Sequence, residues 1–151
     1  VSAMKPASLA GLARVLVPVL LCSLAGAQTT APPGSQAALE AEALKDCEAN
    51  QMSLNLCSFH RYKKVDAELN RLYQAHLARM SSKVDVQRYR EAQRAWLKYA
   101  EADCLYRNGP REESGTIWPL LQNTCLSEHT EARLRVLRQH FSCTQDGCPG
   151  N

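Results

Sequence analysis

The sequence has no cysteine pair at C-x-x-C spacing and no histidine pair at the H-x3–5-H spacing of a zinc site. Thioredoxin-type redox chemistry needs the same C-x-x-C unit, so its absence argues against that chemistry and leaves a metal site as the weaker alternative to disulfides. No stretch reaches the roughly 20 consecutive apolar residues that a membrane-crossing helix requires. The run from Val15 to Leu24 is too short. No internal repeat and no strand-like alternation of apolar and polar residues stands out. Nothing assembles a nucleophile, a base and an oxyanion site, so the expectation is a protein without catalytic residues, cofactor or metal.

What is present begins with an N-terminal segment that reads as an export signal. Lys5 and Arg14 precede or flank the apolar run, and Ala25-Gly26-Ala27 follows it. A basic start, a short apolar stretch and a small-residue site describe a secretory signal peptide, with cleavage expected after Ala27. Cys22 offers the alternative of a lipid-anchored N-terminus and membrane attachment, which Leu20-Leu21 just before it disfavours. The expected location is therefore periplasmic or secreted. Setting Lys5 and Arg14 aside leaves 16 basic against 15 acidic residues, or +1. Nucleic-acid binding would call for a clustered basic surface and is not expected. Residues 28–36 read as a flexible linker, since Pro, Gly, Thr and Ala alternate there without an apolar period.

Six cysteines remain beyond the signal: Cys47, Cys57, Cys104, Cys125, Cys143 and Cys148. An even number behind an export signal points to a disulfide framework in an oxidising compartment. Residues 37–142 are read as one helical domain and residues 143–151 as a cysteine-containing tail.

The apolar spacing is helical throughout. Ala37 to Ala49 is rich in Ala, Glu and Leu and is expected to form a first helix. Tyr62, Val65, Leu69, Leu72, Tyr73, His76, Leu77 and Met80 recur every three or four residues and share one helix face. Ser82 with Asp85 resembles an N-cap with an acidic first turn. A second long helix then spans roughly Asp85 to Leu105, with Tyr89, Ala92, Trp96, Leu97, Ala100 and Cys104 on its stripe. The short break predicts an antiparallel hairpin. Counting outward from Ser82 places Leu69 opposite Trp96 and brings Cys57 and Cys104 to the same open end, where a bridge between them is plausible. Asn108-Gly109-Pro110 closes the second helix. A long loop is expected from Tyr106 to Thr124, with one helical turn near Trp118 to Gln122, tied at its ends by Cys104 and Cys125. A last helix is expected from Ser127 to Phe141, with Arg133 at or beside its solvent face. A Cys143–Cys148 bridge would close a small local loop. The fold class is all-α: a hairpin of long helices with shorter flanking helices, stapled by disulfides.

Two stretches carry a family resemblance. One is Cys57-(x8)-Asp66-Ala67-Glu68-Leu69-Asn70-(x2)-Tyr73. The other is Ala92-Gln93-Arg94-Ala95-Trp96-Leu97-Lys98-Tyr99, ending at Ala102-Asp103-Cys104. Gly115-Thr116, Cys125-Leu126 and Thr130-(x2)-Arg133 add a weaker third. Together they resemble the N-terminal domain family named after the lysozyme inhibitor LprI, over residues 44–138. The resemblance implies an exported, helical bacterial protein that binds lysozyme or another peptidoglycan hydrolase and inhibits it by steric blocking. The alternative function is an envelope structural or interaction module with no hydrolase target. The family often carries Arg-Asp where this chain has Ala100-Glu101, and the Cys143, Cys148 pair looks peculiar to this chain.

Asp66, Leu69, Asn70, Tyr73, Gln93, Arg94 and Trp96, which carry the resemblance, are read as structural. Trp96 shares a core stripe, and a buried Gln93 amide needs a partner, for which Asn70 is the candidate. Asp66, Glu68, Glu101 and Asp103 read as solvated helix carboxylates rather than a catalytic pair. His76 reads as a satisfied core histidine. Arg111, Glu112, Glu113 and Trp118, on the long loop beside Ile117, are the candidate partner-binding residues, because an aromatic beside charges on a loop suits an interface anchor; the alternative is that Trp118 caps the hairpin core.

Overall fold

A computed structural model of the chain describes residues 32, 34–145 and 147–149. The expected signal peptide and most of the expected linker lie outside the described residues. Among the described residues all regular structure is helical, in four α-helices: α1 (Gln36–Ala43), α2 (Gln51–Arg79), α3 (Lys83–Asn108) and α4 (Trp118–Ser142). Two single 3-10 turns, Arg111–Glu113 and Gly115–Ile117, join α3 to α4.

Local chemistry explains most of the boundaries. Ser35, Asn50 and Ser82 each cap a helix by accepting a hydrogen bond from a backbone N–H of the first turn. The Ser82 hydroxyl receives the Asp85 N–H at 3.3 Å, as the spacing predicts. α1 is shorter than expected because the chain turns after Leu44. There the Asp46 carboxylate accepts the Glu48 N–H, and Cys47 bonds to Cys57. α2 starts well before the periodic stretch, at the Asn50 cap. α3 ends on Gly109, which adopts φ +67° and returns its N–H to Leu105 O at 2.9 Å. Only glycine takes that conformation without strain.

The expected loop from Tyr106 to Thr124 shrinks to residues 109–117. Pro119 sits in the first turn of α4, where its missing N–H costs nothing, so the helix begins about two turns earlier than the apolar stripe alone suggests.

α2 and α3 run back on each other through a three-residue break, but α4 is the helix that fills the core. α4 lies along α2 and also against α3, whereas the backbones of α2 and α3 make almost no close approach. Leu69 and Leu72 of α2 meet Leu134 and Leu137 of α4, and Val65, Tyr73, Tyr89, Trp96 and Phe141 pack around them. This arrangement overturns the Cys57–Cys104 pairing. Cys57 bonds to Cys47, and Cys104 bonds to Cys125 across the α3–α4 contact. The bridge between Cys143 and Cys148 forms as expected.

Arg133 is also displaced from its expected place at the solvent face. Its side chain is half-buried, donating from Nε to Gln93 Oε1 at 3.1 Å and lying over the Trp96 ring. Asn70 is not the partner of Gln93. It is exposed and donates to Asp66 Oδ2 at 3.1 Å. Arg133 of α4 supplies the partner instead.

His76 is 6 % exposed, edge-on to Tyr89 of α3 and to Phe141 of α4. Its Nδ1 and the Tyr89 hydroxyl have no hydrogen-bond partner among the described residues. Burial first, then the neighbouring His140 and Arg79, hold the imidazole below its ordinary value of 6.5. The unfolded chain therefore takes up this proton before the folded one does. The contribution to stability is complete above pH 6.5 and declines as the pH falls below it, until folded His76 itself protonates. Chemical denaturation at about pH 8 and about pH 5 should show this loss in the native protein and a flatter response in His76→Phe. An unchanged slope in the variant would remove His76 as its source.

Candidate functional site

The α3–α4 connection is short, exposed and held from several sides. The Cys104–Cys125 bridge joins the two helices that carry it. The Trp118 indole N–H donates to Gly109 O at 3.0 Å, and the Ser114 hydroxyl reaches Asn108 O at 2.8 Å and Pro110 O at 2.9 Å. Asn108 donates to Gln122 Oε1, and Asn55 of α2 donates to Thr116 O at 3.0 Å. A loop so pinned loses little conformational freedom when it meets a partner.

Of the expected partner-binding residues, Arg111, Glu112 and Glu113 are exposed on this loop. Trp118 is half-buried, its ring under the Arg111 guanidinium at 5.9 Å, and it anchors the loop rather than projecting from it. The apolar group offered to solvent is Ile117, 44 % exposed. The sequence leaves both placements of Trp118 open, because two neighbouring apolar residues on a loop do not reveal which one points inward.

A second feature lies between α2 and α3, where the two helices stand apart. Asp66, Leu69, Asn70, Tyr73, Gln93, Arg94 and Trp96 all line one open groove of about 370 Å3. These are the residues that carry the family resemblance. Gln74, Leu77, Arg90 and Leu97 complete it. Leu69 and Trp96 thus lie on the same groove, as the count from Ser82 predicts. Gln93 is 7 % exposed and Leu69 is buried, while Asn70, Gln74, Arg90 and Arg94 are exposed along the edges. The i, i+4 spacings Asp66–Asn70–Gln74 and Arg90–Arg94 were visible in the sequence. That both sets border one opening was not.

Three of the four helix carboxylates have ordinary partners, Asp66 through the Asn70 amide. Glu68 pairs with Arg138, and Asp103 sits 2.8 Å from His129 Nε2 with Arg107 nearby. Cys104, Cys125 and His129 offer potential metal-ligand atoms within 4.8 Å of one another. The two sulfurs are bonded together, however, and the thiolate that would serve as a ligand is absent.

A curated relative, an uncharacterised protein of Rhizobium meliloti (strain 1021), is 32 % identical over 108 residues, spanning 62 % of this chain and 77 % of its own length. No solved structure gives a significant match. The family model described as "Lysozyme inhibitor LprI" matches residues 43–137, which contain both the groove and the stapled loop. The chain belongs to the LprI lysozyme-inhibitor family.

Proposed function

We propose that the protein is exported to the periplasm or beyond and inhibits a lysozyme or related peptidoglycan hydrolase by steric occlusion. It acts by binding and not by catalysis. Three disulfides suit an oxidising compartment, and residues 1–27 have the composition of an export signal.

The stapled 109–117 loop is the observation that carries the reading. It presents Glu112, Glu113 and Ile117 on a support held by the Cys104–Cys125 bridge and the Trp118–Gly109 hydrogen bond. Lysozymes are commonly basic, so an inhibitor gains steering from local negative charge even when its total charge is near neutral. Two adjacent exposed carboxylates on the loop supply it, and Ile117 supplies an apolar contact.

The purified chain should slow lysozyme-driven lysis of bacterial cells. Glu112→Lys with Glu113→Lys should weaken that inhibition by about tenfold or more, with helicity and melting temperature unchanged. Full lysis at large molar excess of the unaltered protein would refute the inhibitor reading. Full inhibition by the charge-reversed protein would move the contact away from this loop.

A further inference from the structure

The α2–α3 groove has the layout of a recognition site, and none of the Arg111–Ile117 loop residues lines it. Its two edges differ in chemistry. Along α2, Asp66, Asn70 and Gln74 recur every fourth residue beside the apolar row Leu69, Tyr73, Leu77. Along α3, Arg90 and Arg94 stand one turn apart, and neither forms an ion pair among the described residues. Both arginines also border an adjoining cavity of about 560 Å3 that includes Lys83, so positive charge continues along this side of α3. Among the described residues Asp66 is the sole carboxylate on the groove, and the Asn70 amide already engages it.

We propose that this groove binds an extended, acidic peptide segment of a partner protein. Unpaired guanidiniums call for carboxylates, which they hold in bidentate fashion. The Gln74 amide, Asn70 Oδ1 and the Gln93 amide nitrogen have no partner among the described hydrogen bonds and suit the alternating N–H and C=O groups of a peptide backbone. The spacing agrees. Residues four apart on a helix are about 6 Å apart along its axis. Same-side residues of an extended strand repeat at about 6.7 Å. Alternate acidic side chains therefore reach Arg90 and Arg94 in turn, and the residues between them face the half-buried Tyr73 and Leu77, with buried Leu69 lying beneath them. A sugar chain fits less well, since it would want free aromatic faces. One face of Tyr73 is stacked on Tyr89 at 5.0 Å, and Trp96 already carries the Arg133 guanidinium.

The test uses the full chain and a fluorescein-labelled hexapeptide, Gly-Glu-Leu-Glu-Leu-Gly, read by fluorescence anisotropy, with chemical-shift mapping of the backbone. Binding should shift resonances of Asn70, Gln74, Arg90 and Arg94. Arg90→Glu with Arg94→Glu should weaken it by about tenfold or more. The same charge change on the α2–α4 face, Lys64→Glu with Arg135→Glu, should have little effect, and circular dichroism reports that both variants fold. Equal affinity for the peptide with Lys in place of Glu would overturn the proposal. So would shifts mapping elsewhere, or chitotetraose displacing the peptide from the groove. Lysis assays on the Arg90→Glu, Arg94→Glu variant separate the two surfaces: retained inhibition with lost peptide binding leaves the loop reading standing on its own.

Discussion

Leu137→Ala is expected to lower the unfolding free energy by about 2–5 kcal/mol, the range for emptying a leucine site in a packed core. Leu137 is 0 % exposed and belongs to the cluster with Leu69, Leu72 and Leu134 that joins α4 to α2. A single small domain has a total stability of only about 5–15 kcal/mol, so this one truncation should remove a large share of it. The site has little freedom to collapse, because the surrounding rows come from two helices, each tied by a disulfide, α2 through Cys57 and α4 through Cys125. Urea denaturation followed by circular dichroism measures the loss. Val136→Ala, one position away and 37 % exposed, should change stability far less. Equal effects at the two positions would mean that α4 does not face α2 as described.

Removing the Cys104–Cys125 bridge by a double alanine substitution is expected to cost about 3 kcal/mol. The bridge closes a separation of 21 residues, and its entropic effect on the unfolded chain grows slowly with that length. Both cysteines are essentially inaccessible, so the alanines also leave a small void between α3 and α4. The Cys143–Cys148 bridge spans a separation of 5 and should contribute less. The two variants can be ranked by urea midpoints under non-reducing conditions. A Cys104/Cys125 variant as stable as the native chain would show that the Trp118–Gly109 and Asn55–Thr116 hydrogen bonds, with core packing, hold this end without the bridge. Limited proteolysis within residues 109–117 adds an independent readout, since the loop should become cleavable once α3 and α4 are no longer joined there.

How much was legible from the chain alone divides along physical lines. The helical period of Tyr62 to Met80, the Ser82 cap, the stop at Asn108-Gly109-Pro110 and the local Cys143–Cys148 bridge depend on neighbours a few residues away, and each appears in the structure. The early start of α4 was less legible, because a Pro followed by Leu-Leu-Gln-Asn-Thr can open a helix or extend a loop. The half-buried Trp118 and exposed Ile117 were not legible, because their order is decided by whether the indole N–H can reach Gly109 O. For the candidate sites, Arg111, Glu112 and Glu113 were readable as exposed charges on a connection. The groove was readable only as two sets of residues, not as one opening.

The sequence by itself determined the secondary structure class and the family, because helix spacing, caps and the Gln93-Arg94-Ala95-Trp96 block are local patterns. Tertiary structure decided which helix packs against which, and through that the partners of Gln93, Arg133 and Cys104. The reason is that α2 and α4 offer the better-matched leucine rows, and an amphipathic stripe does not specify which of two other stripes it will bury against.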